Sequence, residues 1–191
     1  MAKPRALILV DIQEGFDAPA WGARNNPGAE ANAARLLNHW RAHGWPVFHI
    51  QHHSTTPGSP LNPDGGAVDF KPEVAPLDGE LVLRKQVNSA FIGTGLEARL
   101  HSLGVSHLVI CGLTTPHCVS TTTRMAANLG FRVELVHDAC AAVAANGDAS
   151  WRSGGDLDPE LIHQAALDQL HGEFACVIST EEALTPGPHH E

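Results

Sequence analysis

Residues 108–126 read LVICGLTTPHCVSTTTRMA, an apolar run that ends in glycine, crosses two threonines and a proline, and enters a helix carrying a cysteine. Val109, Ile110 and Cys111 fit a strand covered on both faces, because a short unbroken apolar run between turn residues suits a buried parallel sheet. Gly112 closes the strand. Thr115 followed by Pro116 predicts a helix start, since threonine caps and proline's missing N–H costs nothing at the first helical position. On that count Cys118 sits in the first helical turn, with Val119, Thr122, Ala126 and Leu129 on one face and Gly130 as the stop. The positive end of the helix dipole is then expected to favour thiolate and lower the Cys118 pKa. The bland alternative is a small buried hydrophobe, the usual role of a free cysteine.

Outward from this stretch, strand and helix alternate. Ala6–Val10 reads as a first strand with Asp11 at its carboxyl end. A polar loop carries DIQEGF, and Asn26-Pro27 opens a helix with Ala29, Ala33, Leu36, Leu37 and Trp40 on one face, closed by Gly44. Pro46–Ile50 is a second strand. Residues 51–76, rich in Gly, Pro, Ser and Asp, exceed an ordinary connection and read as a functional or partner-contacting excursion. Leu81–Leu83 is a short strand delivering Arg84 and Lys85. Thr94 and Glu97 predict a capping box for a helix with Leu96, Leu100 and Leu103 inward. His107–Cys111 and Phe131–Val136 are further strands. A helix from Asp158-Pro159 to His171 and a strand at Ala175–Ile178 complete the chain. The prediction is one α/β domain over residues 1–191, with a mostly parallel sheet in a three-layer αβα arrangement.

The composition narrows the function classes. A formal charge of −9 over 191 residues argues against a nucleic-acid partner. Four cysteines without paired C-x-x-C spacing suggest neither a zinc ribbon nor a secreted disulfide scaffold. Lys3 and Arg5 precede an apolar run too short for a signal-peptide core, and no stretch approaches a membrane span, so a cytoplasmic protein with no membrane contact is expected.

Asp11, Lys85 and Cys118 all follow predicted strands, and in a parallel sheet such positions converge on one edge. Carboxylate, ammonium and thiol together suffice for acyl transfer, with a nucleophile, a proton shuttle and a charge to hold the shuttle. Each also has a structural reading, Asp11 as a loop cap and Lys85 as a snorkelling surface charge.

LVDIQEGF, the run Lys85-Gln86-Val87-Asn88-Ser89-Ala90-Phe91 with Gly93-Thr94, and GLTTPHCVSTTTRMA resemble three motif regions of the isochorismatase-like cysteine hydrolases, and GFRVELVHDAC and HGEFACVIST extend the likeness over nearly the whole chain. The resemblance implies a Rossmann-like six-stranded parallel sheet with helices on both faces. It implies a catalytic triad of Asp11, Lys85 and Cys118, and a cis Leu113–Thr114 peptide that aims the Thr114 N–H, with that of Cys118, into an oxyanion hole. The Thr115 hydroxyl is then expected to bond elsewhere than to the Cys118 N–H. Homodimers or homotetramers are also implied.

Two departures direct the substrate reading. True isochorismatases lack the cysteine, so Cys118 points to the C–N hydrolases of the family, among them streptothricin-, biuret- and maleamate-type enzymes. Nicotinamidases carry an Asp-x-His metal motif where this chain has HIQHHS, so His49, His52 and His53 are expected to be satisfied or substrate-facing, with no metal and no cofactor. Gln13, Phe16, Phe91, Leu113 and Trp151 are the candidate substrate contacts, because they lie near the triad along the chain or in a Gly-rich segment able to cover it. With no tyrosine present, they predict a mostly apolar pocket for a compact acyl group on a small amide-like molecule. A non-catalytic binding protein and a thiol redox sensor are the competing readings.

Overall fold

The computed structural model describes residues 5–153, 155 and 157–185. Six strands form one sheet: β1 (Arg5–Val10), β2 (Val47–His52), β3 (Leu81–Lys85), β4 (His107–Leu113), β5 (Arg132–Ala141) and β6 (Cys176–Ile178). Their spatial order is β3-β2-β1-β4-β5-β6, and every pairing is parallel. Among the described residues five α-helices connect or follow them: α1 (Ala29–His43), α2 (Leu96–Ser102), α3 (Ser120–Asn128), α4 (Pro159–Asp168) and α5 (Thr180–Leu184). Successive strand side chains point to opposite faces, yet Ala6 to Val10 and His107 to Leu113 are buried without a break. Both faces of the central strands are therefore covered, as the three-layer reading requires. The apolar stripe of α1, with Ala33, Leu36, Leu37 and Trp40, joins this core.

The order reverses between β1 and β4, since the chain leaves β1 toward β2 on one side and returns to β4 on the other. A crevice opens at the carboxyl ends of such a pair of strands, which is where Asp11 and the Cys118 turn emerge. Gly112 lets β4 lie this close to β1. It pairs with Val10 and has φ 132°, and a Cβ built there would stand 2.0 Å from the Val10 carbonyl oxygen.

The excursion after β2 is pinned down rather than free. Gln13 binds it from the opposite loop, donating from Nε2 to the carbonyls of His52 (3.0 Å) and Val68 (2.8 Å) and accepting the His52 N–H (2.7 Å). Gly15 lies so close that a Cβ there would meet the Pro60 carbonyl oxygen at 2.4 Å.

Several local expectations are corrected. The Thr94/Glu97 capping box does not form: Gly95, in the left-handed conformation, is the N-cap of α2, while Thr94 Oγ1 accepts from the Leu96 N–H and donates to the Ala90 carbonyl. Leu103 is exposed rather than inward. Helix α1 begins at Ala29, not Pro27, and α4 ends at Asp168. Strand β5 continues past Val136, because a register shift opposite Ile110 and Gly112 lets Cys140 and Ala141 pair again with β4. Helix α5, unforeseen, is started by a reciprocal box between Ser179 and Glu182.

Gly112→Ala is expected to lower stability by roughly 3 kcal/mol or more, through strain at positive φ plus collision with β1. Urea denaturation checks this; an unchanged midpoint would show that the two strands can separate without cost.

Candidate active site

Each member of the triad is delivered by a different connection. Asp11 follows β1 with φ 53°, a left-handed conformation that aspartate tolerates better than most residues. Lys85 ends β3 and pairs with His52 across the β2–β3 register. Cys118 lies in a turn over Thr115–Val119 with π-helical geometry, and α3 starts only at Ser120. The expected α-helical first turn at Pro116 is therefore corrected. The Thr114 carbonyl accepts from the N–H groups of His117 and Val119, each at 3.2 Å, and skips Cys118, the donor that an α-helix would use.

The three side chains converge. Lys85 Nζ donates to Asp11 Oδ2 at 2.6 Å and to Cys118 Sγ at 3.2 Å, and lies 3.1 Å from His52 Nδ1. An ammonium has three donors and no acceptor, so this group spends each of its hydrogens on one neighbour. His52 Nδ1 must then accept, which leaves its proton on Nε2. Desolvation, with the Lys85 charge adding, lowers the His52 pKa to about 4 and keeps the ring neutral. Asp11 is fully buried and Lys85 is 2 % exposed. The second carboxylate oxygen, Oδ1, is buried and has no protein hydrogen-bond partner among the described residues.

Burial also decides the charge states. It raises Asp11 to about 6 against the opposing pull of Lys85. It pushes the Cys118 thiol up to about 12, with the Asp11 charge adding to the rise and Lys85 opposing it. The expected thiolate is thus reversed: desolvation and the Asp11 charge favour the thiol, and the π turn replaces the aligned first turn on which the dipole argument relied. At neutral pH Asp11 is therefore ionised and Cys118 protonated.

Asp11, His52 and Cys118 each offer a ligand atom, all within 4.8 Å of one another, a spacing that suits a metal ion. Lys85 Nζ already contacts all three donors, so the cation of this cluster is the ammonium. His49 is turned away, bonded to Glu80 at 2.8 Å.

The turn after β4 is braced from outside. The Leu113–Thr114 peptide is cis. Asn146 Nδ2 donates to Thr114 Oγ1 (3.0 Å) and lies 3.3 Å from His117 Nδ1, while its Oδ1 accepts the Val143 N–H (2.9 Å). The Thr115 hydroxyl meets His163 Nδ1 at 2.8 Å. Neither Asn146 nor His163 carries a local sequence signal. His52, expected as a satisfied or substrate-facing histidine, lies beside Lys85 because the ends of β2 and β3 are in register.

Of the candidate substrate contacts, Phe16 and Leu113 share a small apolar cluster with Leu61, Ala29 and Ala141, and Phe16 packs on Trp21 with ring centroids 5.2 Å apart. Gln13 is fully buried, its amide spent on backbone. Phe91 stacks on Phe131 at 5.9 Å beside the main core. Trp151 is 82 % exposed. A cavity of about 410 Å³, lined by His53, Arg84, Lys85, Gln86, Val87, Ile92 and Gly93, abuts the triad lysine. A larger one, about 650 Å³, lies between the loop after β1 and the excursion and contains no triad residue, so size alone does not locate the site.

A parallel doubly wound sheet with cysteine, lysine and aspartate gathered at its switch point defines a class of α/β protein with a buried thiol centre. Residues 5–182 match the isochorismatase domain model, and the chain belongs to the isochorismatase family. It is 45 % identical over 186 residues to the isochorismatase-family protein YrdC of Bacillus subtilis, covering 96 % of each chain. It is 35 % identical over 182 residues to a streptothricin hydrolase of Streptomyces noursei, covering 94 % of this chain and 64 % of that one. Among solved structures, an isochorismatase-family protein from Chromobacterium violaceum superposes with a TM-score of 0.89 at 43 % identity, covering 96 % of this chain and 93 % of the other.

If the ammonium holds the place of a cation, its removal should open that place. Lys85→Ala is expected to gain Co2+ binding, seen as a thiolate-to-cobalt charge-transfer band that wild type lacks. Identical titrations of the two proteins would show that Asp11, His52 and Cys118 cannot converge on one ion.

Proposed function

We propose that the protein is a cysteine-dependent hydrolase of a C–N bond, of amide or ureide type, in a small molecule. The observation that carries this reading is the buried Lys85 ammonium bonded at once to Asp11 and Cys118. In the proposed reaction Cys118 Sγ attacks the carbonyl carbon as its proton passes to Asp11 Oδ1, the unpaired lone pair. The developing oxyanion is received by the backbone N–H groups of Thr114 and Cys118, the second spared from its α-helical acceptor by the π turn. Asp11 then protonates the leaving nitrogen as the C–N bond breaks, which leaves a thioester. Water, deprotonated by Asp11, hydrolyses the thioester and restores the thiol. Lys85 keeps Asp11 ionised between the two transfers.

The streptothricin hydrolase relative supports a C–N substrate. The substrate enters beside Lys85, with Phe16 and Leu113 as the apolar wall nearest the nucleophile turn. The four free cysteines suit a reducing compartment such as the cytoplasm. Among the described residues no helix is long and apolar enough to cross a membrane. The homodimer or homotetramer implied by the family motifs is part of this reading.

A panel of small amides and ureides, scored by released ammonia or amine, tests the proposal. On any substrate turned over, Cys118→Ala should lose at least about 10³-fold in kcat while its unfolding free energy stays within about 1 kcal/mol of wild type. Wild-type-like turnover by that variant would remove the nucleophile assignment.

The pH dependence follows from Asp11, which must be ionised to take the thiol proton. With its pKa raised to about 6, kcat/KM should fall about tenfold per unit as pH drops below that value. Asp11→Asn keeps a residue that accepts positive φ but cannot shuttle a proton, so activity should collapse with the fold intact. An acid limb that persists unchanged in Asp11→Asn would assign the titration to another group.

A further inference from the structure

His163, on α4, is 3 % exposed and lies outside the triad. Its ring stands between two polar side chains: Nδ1 is 2.8 Å from Thr115 Oγ1, and Nε2 is 3.3 Å from Asn26 Nδ2. The identity of the Asn26 atom is fixed by its other contacts. Nδ2 lies 2.8 Å from the Cys140 carbonyl oxygen and 3.2 Å from that of His137, groups that only accept. Nδ2 has two hydrogens divided among these three contacts and no lone pair to offer, so His163 Nε2 cannot donate to it and carries the lone pair. The ring proton is then on Nδ1 and is donated to Thr115. Burial lowers the His163 pKa and, joined by His137, outweighs the charge of Glu160, so the ring is neutral and this tautomer is retained.

Both ends of this relay are anchored. Asn26 has φ 42°, and its neighbour Asn25 accepts the Ala142 N–H at 2.7 Å and donates to Glu160 at 2.9 Å. Asp158 caps α4 by accepting the Glu160 N–H at 2.8 Å. At the far end, Thr115 is fully buried and is the first residue of the π turn, three positions before the thiol. A single π turn has no long run of regular hydrogen bonds to hold it, so outside contacts must fix its shape.

We infer that His163 is a positioning residue for the nucleophile: through its bond to Thr115 it holds the Thr115–Val119 turn so that the Cys118 thiol stays on Lys85 and the Thr114 and Cys118 N–H groups face the same point. The inference rests on Cys118 being the nucleophile and adds a residue that touches neither substrate nor the reacting atoms.

The test combines turnover with a readout that needs no substrate, the rate of Cys118 alkylation by iodoacetamide. Peptide mass spectrometry separates it from the exposed Cys176. His163→Leu removes both ring hydrogen bonds and should lower kcat about 10- to 100-fold with KM within about twofold, a displacement effect rather than a binding one. The alkylation rate should change with kcat. His163→Asn places an amide N–H near the position of Nδ1–H and should recover most of both quantities. Thr115→Val, close in size to threonine, should reproduce the loss, and the double variant His163→Leu/Thr115→Val should be no worse than either single one. Should His163→Leu not fold, Thr115→Val and His163→Asn carry the same comparison. Wild-type kcat and alkylation rate in Thr115→Val, or in His163→Leu with only a lowered Tm, would overturn the inference. Failure of the nucleophile reading is told apart by Cys118→Ala retaining turnover, since the alkylation arm still reports whether His163 sets the thiol.

Discussion

The centre of this molecule is one buried ammonium with three hydrogens and three acceptors. Lys85 Nζ reaches Asp11, His52 and Cys118, which arrive from the ends of β1 and β2 and from the turn after β4. A charge so placed is costly unless it is paired and fully hydrogen-bonded. Here the pairing is complete, and each partner is constrained by the same contact. Asp11 is held through Oδ2. His52 is held as an acceptor, so it stays neutral and cannot compete for the proton. Cys118 is held by its sulfur in the turn after β4.

The same burial sets the reactivity. A desolvated site accommodates one anion beside one cation with little difficulty, but a second anion is opposed by both dehydration and repulsion. The raised pKa values of Asp11 and Cys118 share that one cause, and the Cys118 thiol keeps its proton at neutral pH. The helix-terminus argument drawn from the sequence assigned the opposite charge state, because it treated Cys118 as exposed to a dipole and took no account of what surrounds it.

How far the chain could be read in advance follows from the range of the interactions involved. The central strands were legible because continuous apolar runs between turn residues have few other uses, and α1 because its stripe and its glycine stop are local. Strand β5 was cut short at Val136 because His137 and Asp138 interrupt its apolar run, and only a register shift against β4 restores the pairing. The Ser179/Glu182 box of α5 was a readable signal on a helix too short to show a periodic pattern. At the site, Asp11, Lys85 and Cys118 follow from strand ends meeting at one edge. His52 follows only once the register of β2 with β3 is known, and Asn146 and His163 depend on contacts 29 to 48 residues distant in sequence.

Those distant contacts explain how a one-turn irregularity stays in place on an otherwise regular scaffold. The turn after β4 is gripped on two sides by polar side chains from the segment that follows β5: Asn146 on Thr114 and His117, and His163 on Thr115. Asn25 and Asn26, from the loop after β1, tie that segment to the end of β5 and to α4. The loop that carries Asp11 and the turn that carries Cys118 are therefore linked twice, directly through Lys85 and indirectly through this asparagine–histidine frame. The direct link sets protonation, because it consists of charges. The indirect link meets the Cys118 turn only through an amide, hydroxyls and the imidazoles of His117 and His163, and its one carboxylate, Glu160, bonds to Asn25 on the far side, so it can fix position without placing a second anion beside Asp11.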